Sequence, residues 1–155
     1  MPFPVVQAAT LAGQALRLPT DLAHEQNVLL VLFSREQQIG INSWIPYVKR
    51  IEQLYDTLGL YEVLVLGRAW FGSRAITNAR LRADIPNPSL RARTIPLYVD
   101  RATFLRALDL AATPEISVLL VDREGHLSWS TRGQVTPDKV QALAQAIADT
   151  RPRER

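Results

Sequence analysis

Two apolar runs of seven residues, "NVLLVLF" at 27–33 and "YEVLVLG" at 61–67, constrain this chain more than any other feature. Continuous apolar runs of that length mark strands covered on both faces, as in the interior of a parallel sheet. Between them Ile41, Trp44, Ile45, Val48, Ile51, Tyr55 and Leu58 recur at helical spacing, and Gly59 stands where a helix-terminating glycine belongs. Strand, long helix and strand in sequence predict a right-handed crossover joining two parallel neighbours. Pro46 lies inside the helix and predicts a kink or break, because proline removes a backbone donor and crowds the preceding turn.

The flanking segments extend this pattern. Residues 4–18 read as a β-hairpin, with Gly13 in its turn. "SRAITNARLRAD" holds a short helix, whereas "IPNPSLRART" reads as loop on account of its prolines. "IPLYVD" (95–100) is a short strand, and Asp100 is placed to cap a helix over "RATFLRALDL". "ISVLLVD" (116–122) and "HLSWS" form a hairpin around Gly125. A final helix starts with Thr136 as cap and Pro137 at its first position, and Val140, Leu143, Ala144, Ile147 and Ala148 form its stripe. Residues 1–150 make one domain, and 151–155, "RPRER", make a disordered basic tail.

Composition removes several kinds of chemistry. With no cysteine, thiolate nucleophiles, disulfides and cysteine metal sites are excluded, and His24 and His126 alone do not suggest a zinc site. No phosphate-binding loop or dinucleotide fingerprint is present, and none of the serines lies in a nucleophile elbow, so no catalytic residue, metal or cofactor is implied. No apolar stretch is long enough to span a membrane, and the start lacks the features of a secretory signal, so a soluble cytoplasmic protein is expected. The basic residues are overwhelmingly arginine. Six of them (68, 74, 80, 82, 91, 93) fall between 68 and 93 against the single acid Asp84. Such a patch suits an acidic protein partner or a membrane-associated complex, while no specific nucleic-acid motif accompanies it.

The order hairpin, strand, helix, strand, helix, strand, helix, hairpin, helix resembles the thioredoxin-like fold of the redoxin type, an α/β fold with a central mixed sheet flanked by helices and an N-terminal β-hairpin extension. "TLAGQALRLPTDL", "IPLYVDRATFLRALDL" and "SVLLVDREGHLSW" resemble the corresponding redoxin segments, and the likeness covers roughly residues 3–149. In that family a cysteine pair opens the first long helix, where the helix terminus depresses a thiol pKa. Counting back from Pro46, the pair's positions fall on Gln38 and Ile41, with Ile39 and Gly40 between. The family's cis-proline position falls on Ile116, after Glu115, unless a shifted alignment brings in Pro114. A narrower resemblance is to the thioredoxin-like assembly factors of mitochondrial ATP synthase, through Phe33 and Arg35, Ser43 and Trp44, "LRADIP" at 81–86, and Val121, Asp122 and Trp129. It implies a binding role in assembling a protein complex.

Three function classes follow. A non-catalytic interaction or assembly module would present Trp70 and Phe71 as an apolar centre bordered by Arg74, Arg80 and Arg82. A degenerate redoxin would bind a peptide or small acid in the old active-site groove, lined by Ser34, Arg35, Gln38, Glu115 and Ile116. An enzyme of different chemistry ranks third, since it would need a perturbed carboxylate or arginine cluster in a closed cleft, and no such feature is evident from sequence.

Overall fold

The computed structural model describes residues 3–55, 57–68, 71–110 and 115–150, all with their side chains except Arg35 and Phe71. A hairpin of β1 (Val6–Ala9) and β2 (Ala15–Leu18) precedes β3 (Gln26–Leu32), and Gly13 turns it with φ +91°. A 3-10 turn (Arg35–Gln37) leads into α1 (Gln38–Leu54), followed by β4 (Leu58–Leu66), α2 (Phe71–Asp84), α3 (Pro88–Arg93) and β5 (Thr94–Tyr98). Then come α4 (Arg101–Ala107), β6 (Ser117–Asp122), β7 (Leu127–Arg132) and α5 (Pro137–Thr150).

The five-stranded sheet has the order β5-β4-β3-β6-β7. β3 and β4 are parallel neighbours, as the two apolar runs require, and β5 continues the parallel set. β6 runs antiparallel to β3 and pairs with β7, so the late hairpin closes the other side. Every residue of β3 is buried because helices or the N-terminal hairpin cover both faces. On one face Ile41, Trp44, Val48 and Ile51 of α1 and Leu143 and Ile147 of α5 pack over Val28, Leu30, Leu60 and Leu120. On the other, Phe104 and Leu108 near α4, with Leu16 and Leu18 of β2, cover Leu29, Val31, Val63 and Leu119. Asp100 caps α4 by accepting from the Thr103 N–H at 2.9 Å, and Thr136 accepts from the Lys139 N–H at 3.2 Å.

Four expectations need correction. Gly59 does not end α1: the helix stops at Leu54, with Tyr55 already extended, and Leu58 and Gly59 belong to β4. A side chain at Gly59 would begin 2.5 Å from Asn27 Oδ1 and 2.8 Å from the His24 ring, so the glycine answers to close strand packing. Pro46 does not break α1, because its missing donor interrupts a single backbone bond while Trp44 and Val48 hold the helix to the sheet. The segment expected to be loop contains α3: Asn87 accepts from the Ser89 N–H at 2.8 Å, and Pro88 follows at the first helical position. In α5, Leu143 and Ile147 are buried but Ala148 is exposed, at the outer limit of the stripe.

Candidate functional site

The open end of β3 turns through Phe33 and Ser34 into α1, and the Gln37 side chain ties that turn down by accepting from the Phe33 N–H at 2.6 Å. Gln38 is the first residue of α1, where the redoxin resemblance places its first sulfur. A groove of about 720 Å³ opens here, bounded by Ser34, Glu36, Gln37, Ile39 and Gly40, by Glu115 and Ile116 ahead of β6, by Gly133 and Gln134 after β7, and by Lys139 in the first turn of α5. Its floor is sealed. Ile116 is buried, and its side chain would stand 3.4–3.5 Å from a Cβ placed on Gly40. An aliphatic side chain therefore packs against the helix terminus, and the groove is walled by Ile39, Glu36, Glu115 and Lys139 rather than by any sulfur.

The groove's far wall is fixed by α1. Trp44, fully buried, donates its indole N–H to the Gly133 carbonyl at 2.9 Å and meets Trp129 edge-on with centroids 6.5 Å apart. Ser43 accepts from the Val135 N–H at 3.1 Å while donating to the Gly40 carbonyl at 2.6 Å. Lys139 donates to the carbonyls of Arg132 and Gln134, at 2.6 and 3.1 Å, closing the loop after β7 around Gly133. Ile39 points outward and is 72% exposed, a large apolar side chain on the rim.

Ser34, Glu115 and Ile116 line the groove, Gln38 does not, and the side chain of Arg35 lies outside the described residues. Gln38 lines a second cavity on the β4 side of α1, since the first residue of the helix faces around the terminus from the groove. Trp70 lies outside the described residues, as does Pro114, and only the backbone of Phe71 is described, at the start of α2. The arginines divide. Arg68, Arg74 and Arg80 are exposed, whereas Arg82, Arg91 and Arg93 are half-buried. Arg91 donates to the carbonyls of Ile85 and Arg82, at 2.6 and 2.7 Å, capping the end of α2, and Arg93 pairs with Glu52 at 3.1 Å. Arg74 lies 5.2 Å from the Tyr98 ring centroid. Together with Arg82, it lines a trough of about 700 Å³ between α2, β5 and β1.

Sequence reasoning missed Glu62. It sits in the middle of β4, between Leu60 and Leu64 on the face that α1 covers, and lines the second cavity with Gln38 and Asn42. Burial raises its pKa above the ordinary carboxylate range, against the smaller opposing effects of a hydrogen bond from Gln38 and the charge of Lys49. The signal was present as the single acid inside "YEVLVLG". At the β6–β7 turn, Asp122, Glu124 and His126 place ligand-type atoms within 4.8 Å of one another. Asp122 there accepts from the Glu124 and His126 N–H groups, at 2.9 Å each, and its Oδ2 lies 3.0 Å from His126 Nδ1, which is the bonding of a tight turn.

Comparison with known proteins agrees with this architecture. No protein-family model matches the chain, and no curated protein does. Solved structures do. A protein of Aquifex aeolicus VF5 provisionally named an electron transport protein superposes with a TM-score of 0.67 at 11% identity, over 95% of this chain and 97% of its own. The pneumococcal exposed lipoprotein thioredoxin of Streptococcus pneumoniae TIGR4 gives 0.60 at 16% identity, over 92% and 98%. A thioredoxin-family thiol:disulfide interchange protein of Chlorobium tepidum TLS gives 0.60 at 10%, over 96% and 94%. The chain has a thioredoxin-like fold. No helix among its described residues is long and apolar enough to cross a membrane.

Proposed function

We propose that this chain is a redox-inactive, thioredoxin-like binding protein that holds an extended segment of a partner protein in the groove at the start of α1, as a step in assembling or stabilising a complex. The observation that carries this reading is the groove itself, about 720 Å³ and free of sulfur, with Ile116 packed against Gly40 beneath it and Ile39 exposed on its rim. Ile39 offers a partner apolar contact at the rim, and Glu36, Glu115 and Lys139 offer charge. The likeness to mitochondrial ATP synthase assembly factors belongs to this reading, as do action in the cytoplasm and a single domain over 1–150.

A photo-crosslinking residue at Ile39 tests it, with one at Leu54 as control, since Leu54 is 73% exposed but lies at the opposite end of α1. In cells of the source organism the residue-39 probe should capture a defined partner, and Ser34→Trp, which puts bulk at an exposed position lining the groove, should abolish capture. Equal capture at both positions, or none at 39, would overturn the assignment.

The trough between α2 and β1 favours a second reading, in which Arg74 and Arg82 receive an acidic segment of a partner. Tyr98 at its base donates to Asn78 Oδ1 at 2.5 Å, so this wall is preorganised.

A further inference from the structure

A carboxyl group in the middle of an inner strand calls for a reason. Glu62 pairs in register with Leu30 of β3 and Thr94 of β5, so it has sheet on both sides and α1 above. A leucine there would pack with Leu60 and Leu64 without desolvating a charge. Beside it lies a cavity of about 330 Å³, distinct from the groove, between α1, β4 and the α2–α3 connection. Leu32, Ile45, Leu64, Leu81 and Ile85 make its walls. Its size is at the lower end of ligand sites, which run roughly 300–1,000 Å³, and an apolar enclosure with a few convergent polar groups is their usual form.

The polar groups are specific in sign. Glu62 lines the floor, Gln38 and Asn42 present side-chain amides from the first turns of α1, and Asp84 stands at the exposed rim. Gln38 donates to Asn42 Oδ1 at 3.1 Å, which fixes the two amides as a pair. Among the described residues, no lysine or arginine lines this main cavity. Lys49 and Arg93 border a narrow extension of about 20 Å³ beyond Ile45 and Leu90, which Glu62 also lines, and Arg93 is engaged there with Glu52. Lys49 reaches Glu62 electrostatically, yet burial still dominates the acid's ionisation, so the resident partners do not offset its desolvation.

We infer that this cavity is a binding site for a small organic cation with an apolar body, an aryl-alkyl or alkyl amine, whose ammonium pairs with Glu62 and whose hydrocarbon fills the space between Ile45, Leu64 and Leu81. The ammonium supplies a direct ion pair on the cavity side, which Glu62 makes with none of the described residues, and the leucine and isoleucine walls exclude water around the pair. A carboxylate ligand would meet like charge at Glu62 and Asp84. A neutral ligand of the same shape would leave the ionised acid without a counter-charge.

Phenethylamine is the probe, with 2-phenylethanol and 3-phenylpropionate as neutral and anionic isosteres, titrated into the full chain at neutral pH by calorimetry and by ¹⁵N and ¹³C NMR. Phenethylamine should bind at least tenfold more tightly than either isostere and should shift the side-chain amides of Gln38 and Asn42 and the Glu62 carboxyl carbon. Glu62→Gln should weaken amine binding at least tenfold and remove the preference over the alcohol. Equal affinity for amine and alcohol, amine-induced shifts that map elsewhere, or no amine binding would overturn the inference. Should Glu62→Gln fail to fold, the amine-to-alcohol ratio and the Glu62 carbon shift in the unmodified protein decide the matter. Capture at Ile39 reports on the groove alone, so the two sites stand or fall separately.

Discussion

Gly59 and Glu62 lie three residues apart on β4, and both resist reading from sequence for the same reason: each is explained by what lies across the sheet from it. Gly59 is required because Asn27 and His24 occupy the space a Cβ would enter. Gly59→Ala should therefore destabilise the protein by about 1–3 kcal/mol, the usual range for overpacking, measurable by urea unfolding. An unchanged midpoint would show that Asn27 and His24 yield. Glu62 makes a prediction with a definite pH sign. Its folded-state pKa is raised, so the folded protein holds that proton more tightly than the unfolded chain does. The stability it contributes is complete below the unfolded value of about 4.3 and is lost as pH rises through the folded value. Glu62→Gln should raise the Tm at neutral pH, and the gain should shrink toward zero near pH 4. Lys49 on α1, Asp84 on α2 and Arg93 on α3 also border the site, so the difference between variant and parent is the quantity to follow. A gain that is constant with pH would refute the ionisation argument.

At the scale of elements, strands were legible and connections were not. Apolar runs located β3, β4 and β6 to within a few residues because both sheet faces are covered, while α3 was hidden by its prolines. The Asn87–Pro88 pair carries a helix-start signal in its own right, a side-chain acceptor followed by a residue with no donor to satisfy. What α3 does also depends on tertiary contact, since it delivers Arg91 to the open carbonyl end of α2. Arg91→Ala removes two charge-assisted hydrogen bonds and should cost about 1.5–3 kcal/mol in thermal or urea unfolding. The charge-reversed triple variant of Arg74, Arg80 and Arg82 should behave differently. It should change stability by less than about 0.5 kcal/mol at each of the exposed Arg74 and Arg80 and by more at the half-buried Arg82, yet abolish co-purification of an acidic partner if the trough on α2 receives one. Unfolding of the triple variant would identify these arginines as structural, and retained partner binding would remove the trough from consideration.

For the whole molecule, the thioredoxin-like architecture was readable from the order of elements, and the groove was readable only through resemblance to proteins that use it. Ser34, Glu115 and Gly133 come from separate parts of the chain, and no spacing rule joins them until β3 and β6 are paired and the turn after β7 is placed. The second cavity was less legible still, because α1, α2 and β4 must all be docked before Glu62 has a lined space beside it. The purified protein should show no activity in insulin reduction or peroxide consumption assays, both of which proceed through a thiolate. Turnover in either assay would demand a nucleophile that is not sulfur from cysteine.

The packing of Ile116 against Gly40 also separates occupancy of the groove from the electron balance of its surroundings. A protein of this fold with cysteines at the positions of Gln38 and Ile41 would change its surface when the ambient glutathione potential shifts, and it could trap a client as a mixed disulfide. Here the contact surface is the same in oxidising and reducing conditions, and any client leaves by dissociation alone. Its residence time would then follow the dissociation rate alone, with no reductant needed for release.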